Sequence, residues 1–337
     1  MAITAPELLL GPRGRRLCIE YALRSEALAA GPVETELPLW KALFDTVVAQ
    51  QDQVEVVGWG EDYVPTPVAP DEVAARLRLV TPADPTEDML LDVLRATVNS
   101  ARYWREPDPE DVMARHWRVA DALVGFADAL LASPVSSWWA APMRRKEQSR
   151  VRWSGAGQEG PRAQKAISRW RSHEERAEKR TRKRYDDPRQ ADTGQWWSIP
   201  PALPSTTGGL GGLGPVGRHL VEDFPLWQDA EVSPVKVPKK FDVVEIISAD
   251  DWVRLCRRYP LDVTASRMQA WFRVTGHSGD WVIPDWRRVA RHHDGVHLGV
   301  APWLVLAGRA LDVDEHTATL IAGYSPDETR WFVDLPS

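Results

Sequence analysis

Apolar residues recur at helical spacing through the first part of the chain. Met89, Leu90, Val93, Leu94, Thr97 and Val98 keep a period near 3.6 and predict one face of an amphipathic helix. Thr86 is placed to cap it, and Glu87 and Asp88 put negative charge at the positive end of the helix dipole. Asp108, Pro109, Glu110 and Asp111 announce a second helix with a cap, a first-turn proline and early acids. Its apolar positions run from Val112 through Trp117, Val119, Leu123, Val124 and Ala127 to Leu131, and Ser133-Pro134 stops it. Gln53 to Gly58 reads as a short strand, and the proline-rich stretch from Val64 to Pro85 as extended chain.

The pattern changes in the second half. Asp242 to Ile247 predicts a strand, and Ser248 with Asp251 three residues on forms a capping-box signature. Trp252, Val253, Leu255 and Cys256 make the apolar side of the helix that follows. Pro284 and Asp285 start another helix through Val289, and Ala301 to Leu311 reads as a third, apolar enough to be buried. Thr317 to Ala322 predicts a strand, and Ser325 to Glu328 a turn into a last strand at Trp331 to Val333. The expected fold class is α+β or α/β. Its parts are a mostly helical region over residues 1–142, a basic helix-compatible insertion or arm over 143–190, a Pro/Gly/Trp-rich connection over 191–217, and a mixed α/β domain over 218–337.

Seventeen tryptophans in 337 residues sharpen this picture. Trp227, Trp252, Trp271, Trp281, Trp286, Trp303 and Trp331 fall in the last third, each with a large apolar surface and one N–H to satisfy. Trp252, Trp303 and Trp331 are expected in a buried aromatic core, while Trp153 and Trp170 are expected to be exposed. Cys18 and Cys256 lie far apart in apolar contexts and read as buried free thiols of a cytoplasmic protein. The N-terminus lacks the pattern of a secretory signal, and no apolar run reaches the ~18 residues of a membrane span.

Charge is unevenly spread. Net charge is −6, yet Arg144 to Arg189 holds 16 Lys/Arg against 7 Asp/Glu. Such a band could bind nucleic acid, a protein partner or the protein's own acidic body.

Three constellations could carry chemistry. Gly209-Leu-Gly211-Gly-Leu-Gly214 spells the G-x-G-x-x-G of a dinucleotide fingerprint, but the prolines around it and the missing upstream strand read as a turn-forming connection, and no lysine follows to make a P-loop. His292, His293 and His297 with Asp294 hold metal-ligating types, but Gly295 breaks the helix that would gather them, and no metal is expected. The third runs from Thr264 to His297. Trp281 and Trp286 could stack on a planar ligand, Arg267 could clamp an anion, Thr264 and Ser266 could bond a sugar, and Asp285 and His297 could do acid–base work. The rival reading makes the tryptophans core and Asp285 a helix cap. The expected function is binding of a nucleotide-like or sugar-bearing small ligand.

Gly11-Pro-Arg-Gly-Arg-Arg-Leu-Cys18, Trp196-Trp197-Ser198, Leu220-Val-Glu222-Asp223, Tyr259-Pro260-Leu-Asp-Val-Thr264, Pro284-Asp285-Trp286, Asp294-Gly-Val-His297-Leu298 and Ala322-Gly323-Tyr-Ser-Pro326-Asp327 carry a resemblance. The chain resembles a tryptophan-rich group of proteins from high-GC, actinobacterial-type bacteria. That resemblance implies no activity. A looser one, to ADP-ribosyltransferases, places Val243 to Ile246 as the short strand ahead of an NAD-holding pocket, with Thr264-Ala-Ser266 as a loose echo of their Ser-Thr-Ser strand. It implies NAD as a ligand and an ADP-ribosyl type of transfer, although their paired catalytic acids have no counterpart in the sequence.

Overall fold

The computed structural model describes residues 3–31, 37–49, 65–154, 162–223 and 229–335. The strand expected at 53–58, Trp227 and the glycines dividing the basic band lie outside the described residues. The fold is α+β, and the chain forms two compact units. One holds Ile3–Thr97 and Pro107–Ser137, the other Val98–Glu106 and Trp138 onward.

The first unit is helical: α1 (Ala5–Leu10), α2 (Pro12–Ala30), α3 (Pro38–Ala49), α4 (Pro70–Leu79), α5 (Glu87–Asn99), α6 (Pro109–Ala114), α7 (Trp117–Ala122) and α8 (Val124–Ala132). α5 starts where its cap predicts, with the Thr86 hydroxyl accepting from the Met89 N–H at 3.2 Å. The single helix expected from Pro109 to Leu131 is instead the three pieces α6 to α8, broken at Arg115-His116 and at Leu123. A straight helix could not bury one side of so wide an apolar set. The breaks bury Met113, Val119, Leu123, Phe126 and Leu130 and leave Val112, Trp117 and Val124 exposed. Arg13 and Asp111 form a buried ion pair at 2.6 Å that ties α2 to α6.

The second unit holds β1 (Ser149–Trp153), α9 (Ala163–Arg184), β2 (Ser205–Thr207), β3 (Ala230–Pro234), β4 (Val243–Ile246), α10 (Ala249–Arg258), β5 (Pro260–Asp262), α11 (Thr264–Thr275) and β6 (Asp280–Pro284). Then follow α12 (Trp286–Val289), β7 (Gly295–Leu298), α13 (Val300–Leu306), β8 (Leu311–Asp312), β9 (Thr317–Thr319) and β10 (Glu328–Trp331). Six strands form one sheet in the order β3-β1-β2-β10-β7-β4, antiparallel except for the parallel β4–β7 pair. The other four make a smaller sheet in the order β5-β6-β9-β8. β4 and the α10 capping box lie where the sequence predicts them. The apolar helix ends at Leu306 and releases Leu311 to β8, and the last strand starts three residues early, at Glu328.

The basic segment is neither an insertion nor an arm. Its residues 149–153 are a strand inside the large sheet, and the connection that follows supplies β2 beside it. α9 docks through Ala163, Ala166, Ile167, Ala177 and Thr181, together with two buried acids. Glu174 pairs with Arg267 at 2.6 Å. The Glu178 carboxylate accepts from the Ala265 and Ser266 N–H groups at 2.9 and 2.8 Å, satisfying free donors in the first turn of α11.

Trp196-Trp197-Ser198 acts as a strap for the aromatic core. Its three consecutive carbonyls accept from Trp271 at 3.0 Å, from Arg267 at 3.1 Å and from Trp286 at 2.9 Å. Ser198 also exchanges backbone and hydroxyl hydrogen bonds with Ala322. Gly323, at φ 71°, lies so close to the Trp197 ring that a Cβ there would fall 2.1 Å from it. Trp252, Trp271, Trp281, Trp286, Trp303 and Trp331 are all fully buried. Trp286 lies between Trp252 and Phe332, while Trp271 meets Trp281 edge-on with centroids 5.1 Å apart. Trp153 and Trp170, expected to be exposed, are half-buried, because β1 and α9 are built into the unit.

Candidate functional site

Strand alternation and register put one set of side chains on one face of the large sheet. In β1 these are Ser149, Val151 and Trp153, in β2 Ser205 and Thr207, and in β10 Glu328 and Arg330. Ser149 lies opposite Thr207, Thr207 opposite Glu328, and Ser205 opposite Arg330. This face is the floor of a cleft of about 210 Å³, walled by Gly217, Leu220, Val221, Ser325 and Pro326. The floor offers hydroxyls from Ser149 and Ser205, one carboxylate and one guanidinium, with Trp153 at one end, while the Thr207 hydroxyl is taken up by Asp327 and the Gly217 N–H. Glu328 and Arg330 lie 3.0 Å apart and are mostly shielded from water, so the cleft is polar without a large net charge. Arg330 is held by the Pro201 carbonyl at 2.9 Å, which fixes its head beside Glu328.

Asp327 joins this cleft to the other face of the sheet. It lies between Pro326 and Glu328 at φ 56°, a left-handed conformation that is strained for any residue with a side chain. The Thr207 hydroxyl and the Gly208 N–H donate to its Oδ2 at 3.0 and 2.7 Å. Its other oxygen faces His297 Nε2 at 3.6 Å, while His297 Nδ1 meets Glu245 at 2.6 Å. Burial favours the neutral imidazole, but hydrogen bonding and charge from Asp327 and Glu245 win and hold its pKa at about 9. His297 is therefore an imidazolium clamped between two carboxylates. It sits opposite Thr329 on the face of the sheet away from the cleft floor. The acid–base role expected for it does not fit, since neither ring nitrogen is open to a substrate; it fixes Asp327 instead.

The other residues singled out from the sequence have structural partners. Trp281 and Trp286 cannot stack on a ligand, because both rings are enclosed by the core. Arg267 cannot clamp an external anion, because its guanidinium is buried on Glu174 and the Trp197 carbonyl. Ser266 is buried beneath Glu178, and the Thr264 hydroxyl accepts from the Trp281 backbone N–H at 2.9 Å, fastening α11 to β6. Asp285 is a helix cap: one oxygen accepts from the Arg287 and Arg288 N–H groups, and the other pairs with Arg171 at 3.0 Å. Asp285 and His297 therefore serve two separate networks. Nor do the histidines gather: His293 bonds Asp242 at 2.7 Å, and His292 stacks on Tyr259.

The sequence signal for the cleft was weak. β1 lies inside a basic run, and β2 follows a proline-rich stretch in a strand of only three residues, Ser-Thr-Thr. The glycine pattern next to it forms a turn around Gly211–Leu213, with Leu210 N–H donating to the Gly214 carbonyl at 2.7 Å. Among the described residues no single helix is long and apolar enough to cross a membrane. Comparison with protein-family models, curated proteins and solved structures finds no match for this chain.

Proposed function

We propose that the protein binds a small sugar-bearing ligand, of nucleoside or nucleotide type, in the cleft on the β1-β2-β10 face. One observation carries this reading: three strands point hydroxyls, a carboxylate–guanidinium pair and an indole into one concavity. Vicinal hydroxyls of a sugar both donate and accept, so they match serine hydroxyls and a carboxylate better than they match an apolar pocket. Trp153 supplies an aromatic edge against which a ring can pack. The volume suits one sugar with part of a base, not a polymer. Two buried free thiols, Cys18 and Cys256, support placing this activity in a reducing compartment such as the cytoplasm.

A thermal-shift panel of adenosine, AMP, ADP-ribose, NAD, ribose and glucose tests the proposal. A compound that binds only the folded state raises the unfolding midpoint, by ~2.7 kcal/mol of stabilisation at 100 times its Kd. At least one member should raise the midpoint of the parent protein. Absence of a shift with every member at millimolar concentration would overturn the proposal.

A further inference from the structure

We infer that the outer face of α9 is a binding surface for the phosphate backbone of nucleic acid. α9 spans 22 residues, and its buried side takes its acids inward: Glu174 and Glu178 both face the body of the unit. The remaining helix acid, Glu175, pairs with Arg171 at 2.7 Å. What faces solvent is a row of exposed cations, Lys165, Arg169, Arg176, Lys179, Arg180 and Lys183. None of these six takes part in an ion pair among the described residues, in contrast to Arg171 and Arg182 on the same helix.

Lys165, Arg169, Arg176, Arg180 and Lys183 follow one another at steps of three, four or seven and so share a face of the helix. From first to last they extend about 27 Å at 1.5 Å per residue, the length of about eight nucleotides at 3.4 Å each. Six charges on a docked helix are pre-organised, so binding does not have to order them first. The chain's overall net charge of −6 does not cancel this field, since charges beyond a Debye length of ~8–10 Å are screened. A lipid surface is disfavoured because α9 has already buried its apolar side in the protein and has none left to insert.

Fluorescence anisotropy with a labelled 20-base-pair DNA duplex and a 20-nucleotide single-stranded RNA tests this between 50 and 200 mM salt. Binding to at least one probe is expected, with log K falling against log salt at a slope approaching about −5 for the duplex if all six cations engage. The combined variant Arg169→Gln, Arg176→Gln and Arg180→Gln should flatten the slope by about 3 and weaken binding at least about tenfold at 100 mM salt. Lys165→Gln, Lys179→Gln and Lys183→Gln form a second set with the same expected outcome, so the test survives if one set folds poorly. A circular-dichroism melt checks folding. No binding to either probe at 50 mM salt would overturn the inference. So would parental slopes in the folded variants, or binding only to phosphatidylserine vesicles or to an acidic protein such as prothymosin. None of these outcomes bears on the sugar cleft, which lies on other residues.

Discussion

Trp303 shows how a single residue ties composition to stability. Its ring is fully buried in α13, and its N–H donates to Glu222 at 2.8 Å. The same carboxylate accepts from the Tyr324 N–H, so one buried acid serves two elements. Trp303→Ala would leave a cavity and remove one of the hydrogen bonds to the buried Glu222 carboxylate, and should cost roughly 3–5 kcal/mol by denaturant titration. A variant as stable as the parent would refute this packing. His297 gives a residue-scale pH dependence. Its pKa is raised from 6.5 to about 9 on folding. Between those values the folded protein holds a proton that the unfolded chain releases. The stabilisation is therefore full below about pH 6.5, fades as pH rises and is gone above about pH 9, on the order of 3 kcal/mol in all. Unfolding midpoints of the parent should fall across that window, and His297→Gln should remove most of the slope. An unchanged slope in the variant would assign the titration elsewhere.

α9 is the clearest case at the scale of an element. Composition marks it as solvated, since its cations outnumber its apolar residues. Its placement is decided by two buried acids and a few small side chains, which no periodicity of hydrophobic residues reports. The buried Glu174–Arg267 pair is the test. Losing one partner strands a buried charge, so Glu174→Leu alone should destabilise by about 3–5 kcal/mol. Glu174→Leu with Arg267→Met should recover most of that loss in the same denaturant assay. A double variant no better than the single one would mean that Trp197 and Ser266, not Glu174, set the energetics of Arg267. The contrast with α10 explains what was legible. Ser248, Asp251 and an apolar face announce that helix locally. β4 and α5 are equally local. The strands β1, β2, β3 and β7 are not, because short strands in a mixed sheet acquire their pattern from partners far away in sequence.

For the whole molecule, the same distinction separates the core from the site. That the late tryptophans would be buried was readable from their number and their apolar neighbours. That Trp281 and Trp286 would be unavailable to a ligand was not, because the hydrogen bond from Trp286 to Ser198 and the packing of Trp281 on Trp271 exist only in the assembled fold. The cleft combines residues 149–153, 205–207, 217–221 and 325–330, which the chain brings together only through the sheet. The central claim is that this face of the sheet receives a sugar. Isothermal titration of the panel compound that most raises the midpoint, against the parent and Ser149→Phe, tests it most directly. Phenylalanine at that strand position would fill the floor of the cleft without touching the tryptophan core. The account predicts a 1:1 isotherm for the parent and at least a hundredfold weaker binding for a folded Ser149→Phe protein. Parental affinity in that variant would place the ligand elsewhere and contradict the account.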